Sequence, residues 1–300
     1  MICFGAGQAE GVEFFMEAGE YFSMRKKRIS MTISPEVLSR IDSLVDGTSV
    51  RSRSEAIESV MSQYLDANKT AVFLGGGDPG SLKVGGVLKP LIGIGGKPLI
   101  EHNLERLKKC GFRRIIVIGR GELIGECFKL MGNGTKQGVS IDYIEEQKSM
   151  GNAKTLQLAE AHISSGFLVL PIDNFFDFDV GYLLKAHAAG GRVATLAVQS
   201  GREAKSDLGV VEMVGTQIIG YEERPKKPKT FLTATFIGMY EPAIFEYIPR
   251  GSMKWVLQTD VFGKLVREGA LFGCMVPGFY INIDSARDVR AAEDFLKRKK

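Results

Sequence analysis

Polar and apolar residues alternate with period two across residues 27–33, the mark of a half-exposed strand. The rhythm then changes. Ser34-Pro35-Glu36 supplies a cap, a proline for the first helical position and an acid for the first turn. Val37, Leu38, Ile41 and Leu44 follow at helical spacing, and Asp46-Gly47-Thr48 breaks the run. Ser52-Arg53-Ser54-Glu55 is a capping-box pattern opening a second helix, with Ala56, Ile57, Val60, Met61 and Leu65 on its inner face. One strand and two helices over residues 25–66 are too small to bury a core alone. Ahead of them Val12, Phe15 and Met16 share helical spacing. Residues 1–24 read either as an extension holding a short helix or as a stretch preceding a native start at Met24.

Beyond a short linker at 66–69 apolar strands alternate with amphipathic helices. A strand begins at Thr70; helices are predicted over 99–110, 153–162 and 180–189, and strands over 115–118 and 167–172. An amphipathic helix over 289–300 ends in a basic, solvated stretch. Residues 70–300 are therefore expected to form an α/β domain with a mainly parallel sheet and helices on both faces. Ligands of such sheets sit at the carboxyl ends of the strands. Gly75 and Asp173 both fall at such ends.

Composition narrows the class. An apolar content of 44% suits an ordinary soluble core, and a net charge of +4 is too small to establish a nucleic-acid partner by itself. Cys3, Cys110, Cys127 and Cys274 are scattered without metal-ligand spacing and read as reduced thiols of a cytoplasmic protein. No apolar run is long enough to cross a membrane. Residues 1–23 hold four Glu and no Lys or Arg, so they lack the basic start of a signal peptide.

The chemistry gathers around one glycine run. An apolar strand ends in Leu74-Gly75-Gly76-Gly77, where backbone N–H groups can approach phosphates with no Cβ in the way. Lys89, in Lys89-Pro90-Leu91, can set a point charge on those phosphates. Asp173, after the strand Leu168–Ile172 region and before Asn174, is the best carboxylate for a divalent cation, which takes oxygen ligands.

Several stretches occur in an order that resembles the sugar-1-phosphate nucleotidyltransferase family over residues 70–296. They are Leu74-Gly75-Gly76-Gly77, the stretch from Lys89 to His102, Glu146-Gln147 with Gly151-Asn152-Ala153, Leu170-Pro171-Ile172-Asp173-Asn174, and Glu223-Arg224-Pro225. The resemblance implies a Rossmann-like nucleotidyltransferase sheet and joining of a nucleoside triphosphate to a sugar-1-phosphate, with Mg²⁺ and release of pyrophosphate. It implies that Lys89 and Asp173 are catalytic and that Leu74, Gly75, Gly76, Gly77, Gln147 and Gly151 bind the nucleotide. Asn174, Gly209, Glu223 and Arg224 would bind the sugar phosphate. Two positions depart from the family pattern. Ser81 stands where the loop arginine is expected, with Lys83 as a possible replacement. Asn282 stands at the second metal-binding aspartate, with Asp284 two residues on along the same strand face. Asp173, Asn282 and Asp284 are the expected metal set.

The segment 25–66 resembles the ribbon-helix-helix DNA-binding domain, in which two chains pair their strands and the ribbon enters the major groove. With Ile29, Met31 and Ile33 inward, Arg28, Ser30 and Thr32 face outward to DNA. The helix start near Arg53 and Ser54 is a phosphate site. A basic cluster, Arg25-Lys26-Lys27-Arg28, precedes the strand. A homodimer or higher, binding duplex DNA, is expected; a plain dimerisation module is the other reading of this segment. For the whole chain the alternative to an enzyme is a transcriptional regulator that uses a decayed transferase domain as a nucleotide or nucleotide-sugar sensor.

Overall fold

A computed structural model describes residues 29–67, 69–201 and 208–299. The chain divides into two compact units, residues 1–58 and 59–300.

In the first unit helix α1 (Pro35–Asp42) starts where the sequence places it: Ser34 is the cap, and its hydroxyl accepts from the Val37 N–H at 3.4 Å. Helix α2 (Arg53–Ala67) opens with the expected reciprocal cap. The Ser52 hydroxyl accepts from the Glu55 N–H at 3.2 Å, and the Glu55 carboxylate accepts from the Arg51 N–H at 2.6 Å. Between the helices the Asp46 carboxylate accepts from Thr48 and Val50 N–H groups and the Ser49 hydroxyl, which hold its pKa well below the usual carboxylate range. Residues 29–33, the described part of the predicted strand 27–33, pair with no strand among the described residues. An isolated strand has no hydrogen-bonding neighbour to fix it. Of the described residues in this unit only Ala56 is buried, while Ile29 is 69% exposed.

The second unit carries a nine-stranded sheet. Its strands are β1 (Lys69–Gly75), β2 (Phe112–Gly119), β3 (Ser140–Glu145), β4 (Phe167–Pro171), β6 (Ala194–Ser200), β7 (Gly209–Val214), β8 (Gln217–Glu223), β9 (Leu232–Tyr240) and β10 (Leu271–Met275). A separate two-stranded ribbon joins β5 (Asn174–Phe176) to β11 (Tyr280–Asn282). The spatial order of the main sheet is β6-β10-β8-β7-β9-β4-β1-β2-β3. Strands β4, β1, β2 and β3 run parallel, as does the β6–β10 pair. The pairs β9–β4, β7–β9, β7–β8, β8–β10 and β6–β9 are antiparallel. The sheet is therefore mixed where the sequence predicts a mainly parallel one. The reason lies in the hairpin β7–β8, whose turn at Gly215 has φ +58 and needs no crossover helix.

Strand β1 is buried on both faces, which explains its unbroken apolar run. Ala71 and Phe73 join one core with helices α3 (Leu99–Lys109) and α4 (Gly121–Met131). Val72 and Leu74 join the other with helices α5 (Asn152–Gln157) and α7 (Phe262–Arg267). Helix α6 (Gly181–His187) covers β6 and β9. Helix α8 (Ala286–Lys299) packs on the small ribbon, with Phe295 stacked on Phe279 at 4.5 Å between ring centres. No described helix is long and apolar enough to cross a membrane.

Candidate active site

The register of β1 and β4 brings the two predicted strand ends together. Leu74 pairs with Pro171, and the Ile172 N–H donates to the Leu74 carbonyl at 2.9 Å. The glycine loop and Asp173 thus leave adjacent parallel strands side by side and border a cavity of about 340 Å³.

At the loop, Leu74, Gly76 and Gly77 face the cavity. Gly77 has φ +116, a conformation that favours glycine. Its N–H, expected to face phosphate, instead donates to Glu146 Oε2 at 2.9 Å. Gly75 serves packing rather than ligand contact: a Cβ there would lie 3.1 Å from the Ile118 carbonyl and from Leu123. Pro79–Leu82 forms a single tight turn in which the Ser81 hydroxyl donates to the Asp78 carbonyl at 2.7 Å. The Lys83 ammonium pairs with Glu122 at 2.7 Å and does not border the cavity.

The opposite wall is built by α5. Gly151 caps it with φ +90, and a Cβ there would lie 2.3 Å from the Trp255 carbonyl. Asn152 donates to Gln258 at 2.8 Å and accepts from the Leu257 N–H at 2.8 Å. Ser149, Gly151, Asn152, Thr155 and Gln258 border the cavity. Gln147 does not: it is exposed, and its carbonyl accepts from Arg120 at 2.5 Å. The buried member of the pair is Glu146, which sequence reasoning passed over. Three polar residues in succession, Glu145-Glu146-Gln147, give no periodic cue to which one turns inward.

Beside Asp173 the contacts centre on Lys89, only 7% exposed in its side chain, which bonds Asp173 at 3.2 Å and Asp284 at 2.5 Å. Burial alone would lower the lysine's pKa, but the two carboxylates outweigh it and hold it above the ordinary value. Burial raises the Asp173 pKa, and Lys89 offsets only part of that rise. The ribbon fixes the remaining partners. Asn282 pairs with Asn174 across β5–β11. The Asn174 amide donates to Asp173 at 3.1 Å and to Asn282 Oδ1 at 2.7 Å. The Tyr280 hydroxyl lies 2.8 Å from the same Asn282 oxygen.

These contacts test the expected metal set. Asp173 and Asp284 both converge on the Lys89 ammonium, and their carboxylate oxygens are the donor type that a hard divalent cation takes alongside phosphates and water. The Asn282 oxygen accepts from the Asn174 amide and brings no charge to a cation, and the single proton of the Tyr280 hydroxyl lies within reach of both Asn282 Oδ1 and Asn174 Oδ1. Asp284 is not on the β11 face as expected; it follows the strand, 63% exposed in its side chain, and reaches the site through Lys89. Among the described residues no three His, Cys, Asp or Glu side chains gather into a metal cage.

Gly209, Glu223 and Arg224, which the resemblance assigns to the sugar phosphate, border the cavity. The Tyr221 hydroxyl donates to Glu223 at 2.7 Å, and a Cβ at Gly209 would lie 2.2 Å from that hydroxyl. Burial, then the Glu223 charge, pushes the Tyr221 phenol well above its ordinary range, so it stays a donor. Tyr221 precedes Glu223 by two residues on β8, so period-two spacing could have found it. Arg224 holds φ +48 and lies beside Glu223 at 3.6 Å. Asn174, predicted to meet the sugar phosphate, also borders the cavity, but its amide bonds Asp173 and Asn282.

The DNA-facing candidates divide. Arg28 and the basic cluster before it lie outside the described residues. Ser30, Thr32 and Ser54 are exposed. Arg53 is occupied: its guanidinium grips Asp42 with two bonds of 2.6 and 2.9 Å.

Comparison with known proteins places this geometry. The profile of the family described as nucleotidyl transferase matches residues 85–280. The chain is 27% identical over 207 residues to a glucose-1-phosphate thymidylyltransferase of Streptomyces antibioticus, covering 67% of this chain and 58% of that protein. It is 31% identical to a UTP–glucose-1-phosphate uridylyltransferase of Synechocystis, covering 65% of this chain and 53% of the relative. The chain thus spans between half and three fifths of the length of these relatives. A Bacillus anthracis structure provisionally assigned as a glucose-1-phosphate thymidylyltransferase, solved with sucrose, superposes with a TM-score of 0.68 at 25% identity, over 77% of this chain and 96% of that one.

Proposed function

This chain belongs to the nucleotidyl transferase family, and on that footing we propose that it joins a nucleoside triphosphate to a sugar-1-phosphate. An oxygen of the sugar phosphate attacks the α-phosphorus, the bond to the β-phosphate oxygen breaks, and pyrophosphate leaves. All reacting groups are anions, so the protein's work is alignment and charge neutralisation. The observation that carries the reading is the Lys89 ammonium between Asp173 and Asp284 beside the glycine loop. Lys89 supplies a positive charge that substrate phosphates can claim from its carboxylate partners. Glu223, set by Tyr221, accepts from sugar hydroxyls, and Arg224 meets the sugar phosphate. Asp173 and Asp284 would hold Mg²⁺, which supplies neutralisation of the phosphate charge. The reduced thiols fit work in the cytoplasm.

Pyrophosphate release, measured across the common nucleoside triphosphates and sugar-1-phosphates with Mg²⁺, is expected to identify at least one active pair. Release with none of them would favour the sensor alternative. Ser81 and Asn282, which carry no charge where the family pattern has an arginine and an aspartate, are the residues that favour that alternative.

The first unit supports a second role. Ile29, Met31, Val37 and Leu44 remain exposed in a segment whose described residues bury almost nothing, which suits pairing with another copy through residues 25–66. Such a homodimer would bind duplex DNA through Arg28, Ser30 and Thr32, with phosphate at the helix start near Ser54. Gel shift should give affinity that falls with a log–log slope of about −0.9 per phosphate neutralised. A dimer without salt-sensitive DNA binding would leave the segment as a clasp alone.

A further inference from the structure

We propose that Glu146 is a positioning residue that locks the glycine loop to α5, so that the phosphate end and the base end of the nucleotide site form one rigid unit. The proposal rests on the nucleotidyl-transfer reading above. Glu146 follows β3 directly, and its backbone N–H donates to the Gly119 carbonyl at the end of β2, 2.7 Å away. That bond turns the side chain inward, where the residue is only 2% exposed. There the carboxylate receives two neutral donors: the Gly77 N–H at 2.9 Å on Oε2 and the Thr155 hydroxyl at 2.5 Å on Oε1. One donor belongs to the loop after β1 and the other to α5, so a single side chain spans both walls.

The packing around this bridge leaves no slack. A Cβ at Gly76 would lie 2.5 Å from Thr155 Oγ1 and 2.8 Å from Glu146 Oε1. The loop backbone therefore passes directly over the bridge, and only glycine fits there. Burying a carboxylate is costly unless it is hydrogen-bonded, so a position needing only bulk would favour an apolar side chain. Two consequences follow. The Gly77 N–H belongs to the protein's own scaffold rather than to a phosphate. The loop also holds its shape before the nucleotide arrives, which lowers the ordering cost of binding.

The test is calorimetry with Mg²⁺ and the nucleoside triphosphate that the wild-type chain binds tightest, together with amide exchange at Gly77 without ligand. Glu146→Ala is expected to weaken triphosphate binding at least tenfold and to speed Gly77 exchange at least tenfold. Glu146→Gln keeps a carbonyl for Gly77 and an amide for Thr155, and is expected to bind within threefold of wild type. Thr155→Val, which removes one donor and little volume, should lie between them. Binding by Glu146→Ala within twofold of wild type, or Glu146→Gln as weak as Glu146→Ala, would overturn the proposal. If Glu146→Ala does not fold, wild-type behaviour of Thr155→Val in both measurements overturns it instead. If wild type binds no triphosphate, the functional reading falls with the lock's role in binding, while Gly77 exchange still reports separately whether the lock itself exists.

Discussion

Glu146 and Asp173 stand at the carboxyl ends of the same parallel block of strands, and their charges are met in opposite ways. Glu146 is sealed by an amide and a hydroxyl, fixed dipoles that belong to the fold. Asp173 is met by the ammonium of Lys89, which it shares with the exposed Asp284, and by the Asn174 amide. A carboxylate held by fixed dipoles sets geometry. A carboxylate held by a side-chain ammonium can exchange that cation when a phosphate or a metal ion arrives. The first kind of site is structural and the second chemical, although both appear in the sequence as an acid just past a strand.

The largest expected effect tests the chemical end. Asp173→Ala removes the carboxylate that faces both Lys89 and the cavity. Turnover in a pyrophosphate-release assay should fall by roughly a thousandfold, the upper range for one charge aimed at a transition state. Calorimetry should also show the advantage of added Mg²⁺ on triphosphate binding largely lost. A variant within tenfold of wild-type turnover would place the chemistry elsewhere.

Lys89→Met comes next. It keeps the stem and deletes the charge, and should lower kcat about a hundredfold with a smaller change in KM, because the charge acts on the transition state. A rise in KM with kcat unchanged would mean that Lys89 only anchors ground-state phosphate.

A third carboxylate sharpens the comparison. Glu223 is held by the neutral Tyr221 hydroxyl, as Glu146 is held by neutral donors, yet it faces the cavity. Tyr221→Phe should therefore raise KM for the sugar phosphate about tenfold, the scale of one lost hydrogen bond, and leave KM for the triphosphate within twofold. Equal changes in both would show that Tyr221 supports the whole cavity instead of the sugar end.

How much of this was legible depends on the range of the interactions. Asp173 and the glycine loop could be read because each sits where a local pattern ends, an apolar strand giving way to glycine or to an acid, while Lys89 was marked by its lysine-proline-leucine stretch. The capping signals at Ser34 and Ser52 were equally local, and both caps form. Glu146 escaped because its inward turn is dictated by a bond to Gly119 on a neighbouring strand. The ribbon that joins Asn174 to Asn282 brings together residues 108 apart in sequence through strands of three residues each, too short to carry a period. That ribbon also ties the Asn282 oxygen to the Asn174 amide, which no local reading of Tyr280-Ile281-Asn282 could supply. The antiparallel half of the sheet was partly visible: Gly215-Thr216 between two apolar runs is a hairpin signal, and the expectation of parallel strands overlooked it.

The smallest effect concerns stability, and its sign separates the two carboxylates most directly. Burial raises the Asp173 pKa in the folded chain above its ordinary value of 3.8, with Lys89 offsetting only part of the rise. The folded state therefore binds this proton more readily than the unfolded state does. Its contribution to stability is fully present below the unfolded pKa and is lost as pH rises through the folded one. At neutral pH the charged Asp173 is thus a burden on the fold. Asp173→Asn is nearly isosteric and cannot carry that charge, so it should melt at a higher temperature than wild type at pH 7. The gap should shrink as pH falls through the raised pKa, where wild-type Asp173 takes up its proton and comes to resemble the amide. Comparing the two chains at each pH cancels the titration of every other group they share. Thermal melts from pH 8 down to the ordinary carboxylate range would measure the gap. A variant less stable than wild type at pH 7, or a gap that widens toward acid, would mean that the bond to Lys89 outweighs the cost of burying the charge. In that case Asp173 would be a structural carboxylate of the same kind as Glu146, and the contrast between the two would fail.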